Sequence, residues 1–300
     1  MTHHGIESLS TVDRGKGTRV RQSSNGGGSK QRRTARPRHY LMCEPTFFDV
    51  SYSINPWMDP SRPTSTERGL AQWKTLHDLL VELGHTVELV EPVAGLPDMV
   101  YSANGATVVD GRALVARFRY EQRADESPAY LDWFRVRGWD ARQAEYVNEG
   151  EGDFLYAGDV VLAGTGFRSE PKARDEIREF FGKPVLGLTL ADERYYHLDT
   201  ALAVLDDNEI MYNPEAFSPR SRALLAERFP DAILADASDA AVFGLNAVSD
   251  GLHVIIPQQA NRLPDQLREH GFVPIGIDLT ELLKGGGGAK CCTLELRARH

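Results

Sequence analysis

The sequence predicts an α/β fold built as a closed ring of repeated modules. Three observations predict it. A unit of apolar hairpin, helix and short strand is met about five times, at a spacing of about 50 residues. The hairpins carry tight polar turns, of which Asp110-Gly111 and Asp250-Gly251 are the strongest. No GxGxxG follows an early strand, so the phosphate loop of an open dinucleotide-binding sheet is missing.

Each element has its own signal. The body begins at His39, where HYLMCEP reads as a strand. Residues 65–83 place Leu70, Trp73, Leu76, Leu80 and Leu83 on one face of a helix, which stops at Gly84. The strand TVELVEP follows, then the hairpin ATVVDGRALVARF. The next helix is predicted to start at Ser127, with Pro128 at its first position, and to end at Gly138. The hairpin DFLYAGDVVLAG precedes a helix closed by Gly182 and the strand PVLGLTL. The hairpin LAVLDDNEIMYN precedes a helix opened by Ser218-Pro219 and closed by Pro230, then AILAD. Last come the hairpin AVSDGLHVIIP, the helix LPDQLREHG and the strand VPIGI. Serine supplies an acceptor for free helix amides, proline presets φ, and glycine tolerates the left-handed exit.

Composition bounds the function. A chain of 300 residues that is 41% hydrophobic and 26% charged can bury a core of its own. No apolar run approaches the ~20 residues of a membrane span, and the N-terminus lacks the apolar stretch of a secretory signal. Three cysteines, one isolated and two adjacent, make no disulfide framework, so a reducing cytoplasm is the expected location. A net charge of −9 argues against a nucleic-acid binder. Residues 1–38, rich in Arg, Lys, Ser and Gly, read as a disordered basic tail ahead of a single domain over 39–300.

The most informative residues for chemistry stand near the C-terminus. Cys291 and Cys292 follow the run Gly285 to Gly288 and open a short β-like stretch. A thiol behind a loop almost without side chains can be approached closely by a substrate. On a strand the two cysteines alternate in direction, so one of them faces the site. His197, in DERYYHLDT, has Asp199 two residues on, and a shared strand face lets that carboxylate orient the imidazole. Asp98 and Asn104 bracket an apolar stretch in LPDMVYSANG. Glu149, Glu151 and Asp153 alternate with glycine, a pattern suited to a cation or a guanidinium. The acidic run does not meet the EF-hand pattern, and neither HExxH nor CxxC is present, so no metal is expected.

Six motifs in order carry a resemblance over the whole body: MCEPTFFDVSYSINPWM, LPDMVYSANG, ALVARFRYEQRADE, EGEGD, DERYYHLDT and GGGGAKCCTL. The chain resembles the guanidine-modifying enzymes of the pentein superfamily. The likeness is greatest to bacterial arginine dihydrolases, with dimethylarginine dimethylaminohydrolases and arginine deiminases as relatives. The resemblance implies a five-bladed α/β propeller of ββαβ modules. It implies Cys291 as nucleophile, with Thr293 completing CxT and Cys292 in the variable position. It implies His197 as the catalytic histidine and Glu149 as the pocket glutamate. Asn55, Asp98 and Asn104 match substrate-pocket positions, and Arg123 matches the arginine that holds an α-carboxylate.

The implied reaction needs no cofactor and passes through a covalent thiouronium on the cysteine. Arginine dihydrolase is the first expectation, because Asn104 stands where deiminases and dimethylarginine enzymes usually carry an acidic residue. Dimethylarginine dimethylaminohydrolase is the alternative, amidine transfer a third, and a non-catalytic pentein that binds a ligand the reading of another class. The expected partner is a small molecule such as arginine or methylated arginine, with a homo-oligomer left open. A low-pKa Cys291 is expected to react readily with a haloacetamidine.

Overall fold

In the computed structural model, which describes residues 33–298, fifteen short strands form five three-stranded sheets. The strands are β1 His39–Cys43, β2 Thr86–Val90, β3 Ala106–Val109, β4 Arg112–Val115, β5 Asp140–Gln143, β6 Phe154–Ala157, β7 Val160–Thr165 and β8 Val185–Thr189. They continue with β9 Leu202–Val204, β10 Ile210–Tyr212, β11 Ile233–Leu234, β12 Val248–Ser249, β13 His253–Pro257, β14 Val273–Ile277 and β15 Leu294–Glu295. In β3-β4-β5, β6-β7-β8, β9-β10-β11 and β12-β13-β14 the first two strands are an antiparallel hairpin and the third lies parallel. A parallel neighbour needs a crossover. Helices Glu126–Val136, Ala173–Phe181, Pro219–Arg228 and Leu263–Glu269 supply it, one per module.

The remaining sheet closes the ring. β1 runs parallel to β2 across helix Thr66–Glu82, but among the described residues no hairpin strand precedes it. β15 takes that place, antiparallel to β1, with Tyr40 opposite Glu295 and Leu41 opposite Leu294. The first module is therefore completed by the last strand, and the residues just before β15 are brought beside the start of the body.

Local signals act as predicted at most ends. Asp110 and Gly111 both have positive φ (51° and 75°), the geometry of a two-residue hairpin turn. The Ser65 and Ser218 side chains accept amides of their first helical turns, and Gly182 leaves its helix at φ 65°. One start differs. The helix of the β3-β4-β5 module begins at Glu126, so Pro128 is its third residue and not its first. The missing amide costs little there, since first-turn amides have no intrahelical partner.

The first helix buries Trp73, Leu76 and Leu80, while Leu70 and Leu83 are half-buried at the edge of that face. A fully buried leucine such as Leu76 is worth roughly 2–5 kcal/mol against alanine. Those side chains share one apolar cluster with Cys291 and Cys292, so the core of the first module also backs the cysteine segment.

The predicted tail lies, for residues 1–32, outside the described residues. Residues 33–38 run against the body. Arg33 pairs with Asp206 at 2.6 Å and with Glu209, and its guanidinium lies over the Phe272 ring. Arg36 pairs with Asp207. Among the described residues no helix is long and apolar enough to cross a membrane.

Candidate active site

Every module presents the stretch of chain that leads into its first strand. Asp98 and Asn104 lie in two 3-10 turns, Pro97–Val100 and Ser102–Gly105, before β3. Glu149 stands before the turn Gly150–Gly152 and β6. His197 caps the one-turn helix Leu198–Ala201 before β9. Asn246 precedes β12, and Cys291 precedes β15.

These five lead-in segments touch one another in cyclic order. The Cys291 carbonyl accepts the Ala103 amide at 3.0 Å, and Ser102 Oγ donates to the Cys292 carbonyl at 2.9 Å. The Gly150–Gly152 turn packs on Ala103, Asn104 and Ala106 so tightly that a Cβ on Gly150 or Gly152 would collide with them. Asp153 Oδ1 accepts the Leu198 amide at 3.1 Å. Asn246 Nδ2 donates to the Asp199 carbonyl at 3.1 Å, and Asn246 Oδ1 accepts the Cys291 amide at 3.1 Å. Residues up to 193 positions apart, from Asp98 to Cys291, thus form one cluster.

The cluster is dry and charged. Cys291, His197 and Glu149 are at most 1% exposed. Glu149 Oε2 lies 2.8 Å from His197 Nε2 and accepts from Arg168 Nη1 at 2.6 Å, while Oε1 accepts the Arg119 amide at 3.2 Å. Burial alone would raise the Glu149 pKa. Arg168 and the His197 hydrogen bond outweigh it, and the carboxylate is held well below its ordinary range. Arg168 is a residue that sequence reasoning missed. Its guanidinium also donates to the Ile54 carbonyl at 2.8 Å and sits against the rings of Tyr120 and Tyr196. An arginine just past the end of a strand, in TGFRSE, gave no periodic signal.

Asp199 does not orient His197. The two residues straddle the start of a helix, not a strand, so they do not share a face. Asp199 Oδ2 instead accepts from the Cys291 thiol at 3.2 Å. Burial raises the Asp199 pKa to about 6, with His197 and Lys290 pulling the other way. Burial and then the Asp199 charge also push the Cys291 thiol well above its ordinary value, the reverse of the low pKa expected from sequence. Neither cysteine is on a strand, since both precede β15 in a turn; Cys292 is equally buried and its thiol too is pushed up by burial.

The glycine run is packed and not open. A Cβ on Gly285 or Gly287 would strike Tyr101, and one on Gly287 would also lie 3.0 Å from Cys291 Cβ. Asn55 ties its own loop to this run. Its Nδ2 donates to the Gly285 carbonyl at 3.1 Å, and its Oδ1 accepts the amides of Trp57 and Met58. Trp57 Nε1 donates to the Arg194 carbonyl at 2.9 Å, so this loop ties the glycine run to the segment that leads to His197.

Arg123 is buried and committed. It donates through Nε and Nη2 to Glu126 at 2.7 and 2.8 Å, through Nη1 to Asn104 Oδ1 at 2.7 Å and through Nη2 to the Asp98 carbonyl at 3.1 Å. Asp98 Oδ2 accepts from Tyr52 at 2.9 Å. Four polar atoms of the cluster are buried without a hydrogen-bond partner: Asp98 Oδ1, Asn104 Nδ2, His197 Nδ1 and Asp199 Oδ1. Buried polar groups are nearly always paired, so this concentration sets the cluster apart from the rest of the interior. Among the described residues no group of His, Cys, Asp and Glu is arranged to hold a metal ion.

Glu151, two residues from Glu149, faces elsewhere. It accepts from Lys290 at 2.7 Å and from Arg297, and clamps the chain on both sides of the cysteines. A cavity of 1310 Å³ lined by Lys290, Tyr40, Tyr156 and Arg297 lies at the hairpin-turn end of the strands, beside Gly158 and Asp207, and does not include the cluster.

Over 269 residues the chain is 54% identical to N(G),N(G)-dimethylarginine dimethylaminohydrolase of Mycobacterium tuberculosis, covering 90% of this chain and 89% of that one. The chain belongs to the dimethylarginine dimethylaminohydrolase family. It is thus a pentein, from a group of hydrolases that act on carbon–nitrogen bonds of linear amidines. It is also 38% identical over 263 residues to a bifunctional arginine dihydrolase/ornithine cyclodeaminase of Synechocystis, covering 85% of this chain but 37% of that longer protein. The solved N-terminal domain of ArgZ, a cyanobacterial arginine dihydrolase, superposes with a TM-score of 0.84 at 36% identity, covering 87% of this chain and 98% of that domain. The dimethylarginine dimethylaminohydrolase of Pseudomonas aeruginosa, solved with citrulline, shares the fold with a TM-score of 0.74 at 19% identity, over 87% and 99% of the two chains. No protein-family model matches the chain.

Proposed function

We propose that this family member is an arginine dihydrolase, with Cys291 as nucleophile, His197 as general acid and base, and Glu149 as the carboxylate that holds His197 and the cation. Guanidinium carbon is a poor electrophile because its charge is spread over three nitrogens. Docking that cation beside Cys291 and Asp199 replaces a missing positive charge and lowers the cost of ionising the thiol. The thiolate adds to the guanidinium carbon and gives a neutral tetrahedral adduct. His197 protonates the departing nitrogen, the C–N bond breaks, and ammonia leaves a thiouronium on Cys291. His197 then takes a proton from water as the water oxygen bonds to the same carbon. Collapse breaks the C–S bond and yields the ureido compound. A second pass on the ureido carbon consumes another water and releases ornithine, carbon dioxide and ammonia.

One observation carries the choice of a dihydrolase. Asn104 Oδ1 is occupied by Arg123, and its Nδ2 is buried without an acceptor. The free side of Asn104 therefore offers donors only. Donors suit the carbonyl oxygen of a neutral ureido intermediate, whereas a cation's N–H groups want an acceptor. Asp98 Oδ1 and Asp199 Oδ1, both unpartnered acceptors, suit those N–H groups. Arg123 is assigned to the α-carboxylate through its one uncommitted N–H, and Asn55 to the loop that must shift to admit substrate.

A second reading is favoured by the 54% identity to a dimethylarginine dimethylaminohydrolase: one cycle on methylated arginine, giving citrulline and dimethylamine. Mass spectrometry of products from arginine, dimethylarginine, citrulline and agmatine separates the two. Ornithine from arginine supports the dihydrolase; citrulline that accumulates from dimethylarginine, with no ornithine from arginine, replaces it by the second reading. Agmatine, which lacks the carboxylate, should fail.

A further inference from the structure

Asn246 is a buried residue that no motif singled out, and every hydrogen-bonding position of its amide is used. Oδ1 accepts the Gly288 and Cys291 amides, both at 3.1 Å. Nδ2 donates to the Asp199 carbonyl at 3.1 Å and to Cys291 Sγ at 3.1 Å. An asparagine amide has two donors and two acceptor positions, so nothing is left over. The amide orientation is fixed by its partners. Turned over, it would set its NH2 against two backbone N–H groups and its oxygen against a carbonyl and a sulphur.

We infer that Asn246 is a catalytic residue, whose Nδ2–H holds the Cys291 sulphur as the thiolate forms beside the docked cation and again when the sulphur leaves the substrate carbon. The sulphur sits between opposites. On one side Asp199 Oδ2 accepts a hydrogen bond from the thiol at 3.2 Å and would repel a thiolate; on the other Asn246 supplies a donor that a thiolate strengthens. The same amide, through Oδ1, sets the backbone on both ends of Gly288–Cys291. Position and charge stabilisation of the nucleophile therefore come from one side chain on a neighbouring module. This inference rests on Cys291 being the nucleophile.

The test separates those two duties. Asn246→Asp keeps an acceptor for the two amides but sets a carboxylate in place of the N–H at the sulphur, so it is read beside Asn246→Ser, which removes that N–H without adding charge. Serine is too short to span both, and folding of each variant is checked by circular dichroism and thermal melting. The readout is the pH profile of Cys291 alkylation by chloroacetamidine, with the labelled cysteine identified by peptide mass mapping. A hydrogen bond to a charged group predicts a rate lower by about ten- to hundredfold at neutral pH, with the profile moved to higher pH. A folded variant that alkylates Cys291 at the wild-type rate and pH would overturn the inference. Alkylation needs no turnover, so it reads Asn246 independently. Failure of the hydrolase reading shows separately, as unmodified arginine and dimethylarginine with the wild-type protein.

Discussion

Glu149 Oε2 stands 2.8 Å from His197 Nε2 and simultaneously takes the Arg168 guanidinium at 2.6 Å. One buried carboxylate oxygen thus binds an imidazole from the fourth module and an arginine that follows β7. Glu149→Gln leaves the Arg168 guanidinium buried without its counter-charge and His197 without its carboxylate partner. Breaking such a pair costs about 3–5 kcal/mol. The expected outcome is a folded but less stable protein with activity reduced at least about a hundredfold, read by denaturant melting and product formation.

The same carboxylate predicts an acid limb of stability. Its folded pKa is depressed, so the stabilisation is present above the unfolded glutamate value of about 4.3 and is lost as pH falls below it. Below about pH 4.3 denaturant midpoints should fall more steeply for the wild type than for Glu149→Gln. Parallel curves would count against this assignment.

Asp199 predicts the opposite slope. Its folded pKa is raised to about 6 against an unfolded value of about 3.9. Between those values the folded state binds the extra proton, so this residue's contribution falls as pH rises from about 4 to about 6. Asp199→Asn should lack that fall. It should also remove the charge that opposes the Cys291 thiolate, so alkylation at neutral pH speeds up by about tenfold while turnover drops. Unchanged alkylation would show that Asp199 does not govern the sulphur.

Gly152 predicts a steric lock. A Cβ there would collide with Asn104 Nδ2 and lie 3.1 Å from His197 Nδ1, two of the unpartnered atoms. Gly152→Ala should cost about 1–3 kcal/mol of stability and lower activity by more than about tenfold, through the displacement of Asn104 and His197. Retention of full activity with an unshifted melting temperature would refute the tight approach.

Arg168→Lys keeps the charge and loses the fork that joins Glu149 to the Ile54 carbonyl. Lysine is a point charge without a planar face for Tyr120 and Tyr196. Turnover should fall by about tenfold or more, and alanine should be worse; equal kinetics for lysine and arginine would assign Arg168 a purely charge-balancing part.

Local elements were legible because their causes are local. Ser65, Ser218, Gly182 and the Asp110-Gly111 pair act through bonds within a few residues of themselves. The repeat of hairpin, helix and strand was legible for the same reason. The sequence places the start of the helix around Pro128 two residues too late, because the one-turn helix Glu121–Ala124 ends one residue short of it and no sequence signal separates the two.

The sequence by itself determined the α/β class, the modular repeat and the polar residues that stand before the first three hairpins: Asp98, Asn104, Glu149 and His197. Only tertiary structure decided which of them meet: that Glu149 and not Asp199 holds His197, that Asp199 and Asn246 share the Cys291 sulphur, and that Arg168 joins them. The physical reason is ring closure. Pairing β15 with β1 brings the C-terminal turn against the other four lead-in segments, and contacts across 45 to 190 residues of chain carry no periodicity a linear reading can detect.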